Sequence, residues 1–545
     1  MPLESPTATV ILCAGRMSYV AVPIALGSTN AMLPVNGKPV IAWTLDRLLK
    51  RGIRDATIVV RADDDDLPTF ARYVYGSRMT LRIARAPSES GSIVRSLLAG
   101  LDAHPEATSV RVLLGDTIID DPLDARPSFV YVADVQHPDR WCVAETSPDG
   151  RITRLHDKRH LPGRHHDALV GYYRFGDAAA LRSALIDAIE AEERELSAVL
   201  LRYGGHDAPL QVVRADVWYD FGNIDNLAQA RLSLLQPREF NSVRIDHQVH
   251  AITKRSADRT KMRNEANWFA SLPPSLALLA PRLTASGEDA ETGWYTLEFY
   301  GYPTLAELFV CGRMLPDVWD SILRRVLDVH ALIASHPGTL PAGTARTMYG
   351  TKTDERLRQL AAQRPDWTWF GATALTLNGR GIGGPATVMQ RLAPWIDRLE
   401  ATMQPTICHG DYCFSNVLYD IGSQIVRVID PRGSFGVPGL YGDPRYDLAK
   451  LRHSVCGGYD FIVAGYVEAR DLGDGHFELD WKIPETARRA AEFFDDHIEA
   501  RGLPAAEIRL IEALLFLTMA PLHADVPSRQ LIMLLHGLDL LDKAT

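Results

Sequence analysis

Through roughly the first 235 residues, short apolar runs alternate with stretches whose apolar positions recur at helical spacing. ATVILCA (8–14) predicts a buried strand ending at Gly15, and KPVIAWTLDRLLKRG (38–52) predicts a helix with Gly52 at its C-terminal cap. DATIVVRA (55–62) is a second strand, SIVRSLLAGLDAH (92–104) a second helix, and VRVLLGD (110–116) a strand that runs into Gly115-Asp116. SFVYVADV, CVAETS and LVGYYRF add strands, and LQVVRADVWYDFGNIDNLAQARLSLL (210–235) closes the series with strand, turn and helix. This alternation predicts a doubly wound α/β domain with a mostly parallel mixed sheet covered on both faces. Ligands of such sheets sit beyond the carboxyl ends of the strands, where Gly15 and Asp116 both fall.

The pattern changes after the proline-containing stretch LLQPREFNS (234–242), which marks the expected boundary between a domain over 1–235 and one over 236–545. HQVHAITKRS and WYTLEFY predict antiparallel strands flanking a helix over TKMRNEANWFASL, a small lobe over about 240–303. From about residue 304 the pattern is mainly helical: TLAELFV, VWDSILRRVLDVHALIA, TDERLRQLAAQ, PATVMQRLAPWIDRLEAT and three further helical patterns. The second domain is therefore expected to be α+β and bilobal, like a protein kinase. NGRGIGGPA (378–386) is expected to be a glycine-rich loop, and not a phosphate loop, because no Lys-Ser/Thr follows it.

Within the helical half, ICHGDYCFSNVLYD (407–420) is expected to form a hairpin-like insert, followed by IVRVIDPRG. Phosphoryl transfer needs an in-line hydroxyl, a group to take its proton, and cations over the phosphates. Asp411 and Asn416, five residues apart on one loop, suit the proton acceptor and a metal ligand, and Asp430 at the next strand end adds a second hard oxygen donor. The H-x-D-x4-N spacing is that of the kinase catalytic loop, with Gly410 in place of Arg. Lys254 on a strand and Glu265 on the next helix are placed to pair over the phosphates, and LEFYGYPTL would be the hinge between lobes.

Together HGDYCFSNVL, VIDPRG and GDPRYDLAKL resemble the aminoglycoside phosphotransferase and choline kinase family over about residues 240–545. The resemblance implies that Asp411 is the catalytic base and that Asn416 and Asp430 are Mg²⁺ ligands. It implies that Lys254 and Glu265 clamp the phosphates of ATP or GTP, and that Asp443 and Asp447 anchor the catalytic loop. His409 is expected to brace that loop.

The stretch VILCAGRMSYVAVPIALGSTNAMLPVNGKPVIAWTLDRL resembles the opening of the sugar-phosphate and choline-phosphate nucleotidyltransferases, and the resemblance extends over about residues 7–235. It implies a triphosphate held at Gly15 and Arg16, metal ligands at Asp116 in LLGD and Asp220 in VWYDFG, and a substrate-contacting lysine at Lys158 in LHDKR. Where the family has Pro-Lys-Pro, this chain has Thr29-Asn30-Ala31, and after Gly15 it lacks the second glycine. Losing a cation that faces a triphosphate can cost several powers of ten in rate. Three readings of this domain stay open: an active transferase, a nucleotide-binding relic, and an architectural module.

Composition narrows the classes. The 545 residues are too many for one core. A formal charge of −10 gives no sign of a nucleic-acid surface. Six scattered cysteines argue against a disulfide framework and for a reducing compartment. No apolar run approaches the ~20 residues of a membrane span, and the N-terminus lacks the pattern of a signal peptide, so a cytoplasmic protein is expected. Nothing in the pattern specifies an oligomer. HDKRHLPGRHHD (156–167), with four histidines and two aspartates, is expected to be an exposed polar loop rather than a metal site, and DDDD (63–66) a solvated one. Cys408 and Cys413 are expected to pack. Aromatic faces in the helical lobe could hold a quaternary ammonium. The expected function is a bifunctional small-molecule kinase and nucleotidyltransferase. It would phosphorylate an amino alcohol, polyol or sugar and activate the product with CTP or another nucleotide, for decoration of a surface polysaccharide or lipid. The alternatives are a kinase with an inactive first domain and a non-catalytic nucleotide sensor or platform.

Overall fold

The computed structural model describes residues 7–15, 29–87, 92–119, 126–204, 210–221, 242–246, 249–312 and 314–545. The chain divides into two compact units, Met1–Leu234 and Leu235–Thr545.

The first unit is built on strands β1 (Thr7–Leu12), β2 (Asp55–Arg61), β3 (Thr80–Ala86) and β4 (Ser109–Leu114), with helices α1 (Val40–Lys50), α2 (Asp66–Tyr75) and α3 (Ile93–Asp102). After the short β5 (Thr117–Ile119) come β6 (Phe129–Val135), β7 (Cys142–Thr146), β8 (Ile152–Asp157) and β9 (His166–Phe175). Helices α4 (Ala178–Glu190) and α5 (Leu196–Gly204) lead to β10 (Gln211–Arg214) and β11 (Trp218–Asp220). The main sheet runs β8-β7-β9-β4-β1-β2-β3, with β6 pairing both β9 and β10. β1 lies parallel between β2 and β4, while β9 runs antiparallel to β4. Val10, Val59 and Val112 are fully buried and pack in one core with Leu97, Leu101, Leu181 and Val199 from α3, α4 and α5. That double-sided burial is why the central strands read as continuous apolar runs. The helix expected beyond residue 221 and the expected boundary stretch lie largely outside the described residues.

The second unit opens with an antiparallel sheet of β12 (Ser242–Asp246), β13 (Ala251–Ser256), β14 (Leu283–Glu288) and β15 (Gly293–Glu298), in the order β12-β13-β15-β14. Helix α6 (Arg259–Ser271) crosses between β13 and β14, capped by Asp258, whose side chain accepts from the Lys261 N–H. The larger lobe carries α7 (Leu305–Cys311), α8 (Pro316–Ala334), α9 (Lys352–Gln363), β16 (Ala374–Leu377), β17 (Arg380–Gly383) and α10 (Val388–Thr402). The hairpin β18 (Val417–Asp420) and β19 (Ile425–Val428) follows, then α11 (Pro444–Val455), α12 (Tyr459–Ala464), β20 (Val467–Gly473) and β21 (His476–Trp481). Helices α13 (Glu485–Ala500), α14 (Ala505–Met519) and α15 (Pro527–Ala544) end the chain. α14 is buried nearly all round, from Ile508 to Thr518, as expected of a helix at the centre of a core.

Two expectations are corrected here. NGRGIGGPA is not a loop: β16 and β17 form a hairpin whose turn is Asn378-Gly379, at φ +50° and +76°. Nor is the lobe helical apart from the 407–433 insert. β20 and β21 form a second hairpin, turned at Asp474-Gly475, and the order β17-β16-β21-β20 makes a four-stranded sheet. After the GDPRYDLAKL motif begins, five α-helices follow rather than three.

Candidate active sites in two units

In the second unit the loop 408–416 is pinned from below. The buried Asp447 carboxylate, on α11, accepts the His409 N–H at 2.7 Å and the Gly410 N–H at 2.8 Å. Asp443 is also fully buried but works elsewhere: it caps α11, accepts the Arg445 guanidinium at 2.7 Å and receives the Tyr349 hydroxyl at 2.9 Å. Gly410 sits at φ +78°, and a Cβ there would lie 2.8 Å from Cβ of Arg432. Both facts explain glycine where kinases carry arginine. His409 is fully buried, its Nδ1 accepts the Asp411 N–H at 3.3 Å, and burial pushes its pKa down, so it is neutral.

The spacing along the loop becomes geometry through a turn of 3₁₀ helix at Phe414–Asn416. Asn416 Nδ2 donates to the Asp411 carbonyl at 2.9 Å and to Asp411 Oδ2 at 3.0 Å. The Ile429 N–H donates to the Asn416 carbonyl at 3.0 Å, which sets Asp430 beside Asn416 at the open end of the β18–β19 hairpin. Asp430 takes the left-handed conformation, φ +55°. Its Oδ1 lies 3.2 Å from Lys254 Nζ, and Lys254 also donates to Glu265 Oε2 at 2.8 Å. The Tyr295 hydroxyl bonds the same Glu265 oxygen at 2.7 Å. Burial alone would depress the Lys254 ammonium, but Asp430 and Glu265 outweigh it and hold Lys254 protonated. Asp411 and Asn416 thus form a bonded pair and Asp430, Lys254 and Glu265 a bonded chain, and the Ile429–Asn416 backbone bond sets the two halves of the set side by side.

The set includes a residue that spacing did not mark. Lys450, on α11 and only 4% exposed, donates to Asp411 Oδ1 at 2.8 Å. Burial would raise the Asp411 carboxyl, but the charges of Lys450 and Arg432 overcome it and keep the group ionised far below the usual carboxylate range. Lys450 lies inside the GDPRYDLAKL motif; its position on the inward face of α11, one turn after Asp447, is the signal available in the sequence.

The donor set suits a divalent cation. With Asn416 Nδ2 engaged by Asp411, its Oδ1 is left for a cation, and Asp430 adds a carboxylate. Hard oxygen donors of this kind fit Mg²⁺. The two thiols beside the loop are buried, with Cys413 pushed up to about 12 and Cys408 well above its ordinary value. The described cysteines are all free.

In the first unit, Leu12 and Leu114 are in register at the carboxyl ends of β1 and β4. Gly15 and Asp116 therefore stand at one edge of the sheet. Gly115 fits between the strands because a Cβ would fall 2.4 Å from Cys13 Sγ. β11 pairs antiparallel with β5, placing Asp220 opposite Thr117, and the Phe221 N–H donates to the Asp116 carbonyl at 2.9 Å. Asp116 and Asp220 are thus neighbours across a two-stranded ribbon. Burial pushes the Asp116 carboxyl up. The Thr29 hydroxyl donates to the Cys13 carbonyl at 2.7 Å, and this tether brings Asn30 Nδ2 to 3.2 Å from Asp116 Oδ2. Lys158 is exposed at φ +46° just after β8, and its N–H donates to the Trp141 carbonyl. Trp141 packs edge-on against Trp218 of β11, 4.9 Å between centroids. No hydrogen bond or ion pair joins Lys158 to either aspartate among the described residues. Arg16 lies outside the described residues. Lys38 pairs with Asp46 and covers the Trp43 ring at 4.0 Å, which is a structural role. In the histidine-rich stretch, His156 pairs with Glu145 and His165 with Asp134.

Comparison with known proteins agrees with this division. Residues 9–162 match the family profile of the MobA-like NTP transferase domain, and residues 243–481 match that of the phosphotransferase enzyme family. A glucose-1-phosphate thymidylyltransferase of Xanthomonas campestris is 30% identical over 237 residues, 40% of this chain and 78% of the relative. One of Mycolicibacterium smegmatis is 27% identical over 238 residues, 40% of this chain and 80% of the relative. The chain therefore belongs to the nucleotidyltransferases through its first unit and to the phosphotransferase enzyme family through its second, as a fusion of the two.

Proposed function

We propose that the second unit transfers a phosphoryl group from a nucleoside triphosphate, ATP or GTP, to the hydroxyl of a small alcohol, and that the first unit joins the resulting phosphate ester to a nucleotide with release of pyrophosphate. One observation carries the first step: the Asp411–Asn416 pair and the Asp430–Lys254–Glu265 chain stand side by side, set together by the Ile429 N–H bond to the Asn416 carbonyl. Lys254 faces the phosphates and Glu265 holds it in place. Asp411 orients the acceptor hydroxyl and takes its proton late, because a carboxylate paired with Lys450 is a weak base. A loose phosphoryl transition state asks little more of it. A Mg²⁺ held by Asn416 and Asp430 would neutralise charge on the transferring phosphoryl group.

In the first unit, the adjacent Asp116 and Asp220 support a metal-assisted nucleotidyl transfer. Lys158 would contact the phosphate ester. The relatives' thymidylyltransferase activity makes a sugar 1-phosphate with dTTP one pairing to test, beside CTP with a phosphorylated amino alcohol or polyol. Made by a cytoplasmic enzyme, a product activated in this way would serve as a donor for decorating a surface polysaccharide or lipid. The Asn30 contact to Asp116 favours a second reading of this unit, in which it binds nucleotide but turns over slowly.

The test is ADP release across a panel of alcohols for wild type and Asp411→Asn, followed by pyrophosphate release from CTP, dTTP, UTP and GTP with the kinase product. Loss of about 10²–10⁴-fold in the variant is expected; equal rates would remove Asp411 from the mechanism. Pyrophosphate release at background with every pairing would leave the kinase alone.

A further inference from the structure

The two oxygens of the Asp411 carboxylate face different chemistry. Oδ2 takes the Asn416 amide, on the side of Asp430 and Lys254. Oδ1 takes Lys450, on the side of α11 and α9. On that second side cations exceed anions. Arg432 bonds the Tyr446 hydroxyl at 2.9 Å and lies over its ring at 5.1 Å, with no carboxylate partner among the described residues. Lys352 is half-buried at the start of α9, has no ion pair among the described residues, and shares the field of Tyr446, Arg432 and Lys450. Arg356, one turn further along α9, adds to that field and bonds Gln359 at 2.7 Å. Lys352 and Arg356 are an i, i+4 pair of like charge, an arrangement that weakens a helix. Tyr446 is buried, tilted 6.3 Å from Tyr349 and edge-on 5.5 Å from Phe435, while Lys352, Arg356 and Arg432 are each part-exposed, so the cations line a site that rings back and solvent can reach. Among the described residues, the carboxylate that acts on Lys450 and Arg432 is Asp411, already paired with Lys450.

Resting on the kinase reading above, we propose that the acceptor is an anionic alcohol, a hydroxy acid or a phosphorylated polyol or sugar, whose carboxylate or phosphate binds Lys352 and Arg432 while its hydroxyl meets Asp411. An amino alcohol would bring a cation into a pocket that already holds a surplus of them. The nucleotide does not account for the surplus, because Lys254, Asn416 and Asp430 meet it from the other carboxylate oxygen. Lys352 and Arg432 act here as binding residues that fix the class of acceptor.

Matched acceptors test this. Glycerate, glycerol 3-phosphate, glycerol and 3-amino-1,2-propanediol share a frame, as do gluconate, glucose 6-phosphate, glucose and glucosamine. In ADP-release assays an anionic member is expected to exceed its neutral and amine counterparts at least tenfold in kcat/KM. The better of the carboxylate and phosphate members identifies the headgroup. Lys352→Gln is expected to raise the KM of the anionic acceptor about tenfold and collapse the anion-to-neutral ratio, with Lys352→Arg restoring it. A preference for the neutral or amine member, or a ratio untouched in Lys352→Gln, overturns the proposal. Independently of turnover, sulfate is titrated into the enzyme saturated with Mg·ADP. Weaker sulfate binding in Lys352→Gln supports the anion site, and equal binding overturns it. Failure of the kinase reading looks different: ADP release would be insensitive to Asp411→Asn, or Mg·ADP would not bind at all.

Discussion

Asp411 is held ionised by Lys450, so its protonation does not limit activity at ordinary pH. A plot of kcat/KM against pH is expected to show no acid limb from Asp411 above about pH 4, the ordinary carboxylate range. The depressed carboxyl contributes stability that is present above its unfolded value and lost as pH falls through the folded one. Tyr446 gives a signal of its own. Burial would raise its phenol, but Arg432, Lys352 and Lys450 outweigh burial and the opposing Asp411, and bring it down to about 8. Ultraviolet difference titration is expected to show one tyrosinate forming near that pH, absent in Tyr446→Phe. Because the phenol ionises at lower pH when folded, it adds stability as pH rises from about 8 toward the ordinary tyrosine value of 10.0. Lys254→Met should lower phosphoryl transfer by about 10²–10³-fold, the cost of removing one preorganised cation from a phosphate site, measured as ADP release at saturating acceptor.

At the scale of elements, the loop depends on two supports. Removing the Asp447 carboxylate strands two buried N–H groups, each costing about 1–3 kcal/mol. Asp447→Ala should therefore lower the denaturant midpoint markedly, and Asp447→Asn, which keeps one acceptor, less so. Gly433, at φ +62°, lies against α6, where a Cβ would fall 2.1 Å from the Asn264 carbonyl oxygen. Gly433→Ala is expected to loosen the contact between α6 and the Asp430 turn, read as a lower melting temperature and a raised KM for ATP. These elements also show what the chain made legible. Asp411 and Asn416 were readable because five residues of loop and one 3₁₀ turn hold them together locally. Lys254 and Glu265 were readable because a strand and the next helix carry them. Lys450, Arg432 and Lys352 were not, since three separate elements bring them to Asp411 and Tyr446, and no local spacing encodes that meeting. The hairpins at 374–383 and 467–481 did leave a sign: Asn378-Gly379 and Asp474-Gly475 are the dipeptides that favour a two-residue turn with φ above zero at both positions. Glycine richness in the first and the surrounding helices in the second masked it.

For the molecule as a whole, one reaction is expected of each unit. Asp411→Asn is expected to stop ADP release yet leave pyrophosphate release intact when the phosphate ester is supplied, and Asp116→Asn to do the reverse. Coupled loss in both assays would contradict the assignment of one reaction to each unit. The fold of the first unit was legible in its alternating strands and helices, but the fate of its lysine was not. It takes the fold to bring Asn30, tethered through Thr29, against Asp116. Asparagine and lysine codons differ in their third base alone. The chain thus stands a single point mutation from an ammonium at that spot, beside a carboxylate oxygen that already accepts from Asn30. A faster pyrophosphate burst in Asn30→Lys would show the transferase to be throttled rather than extinct.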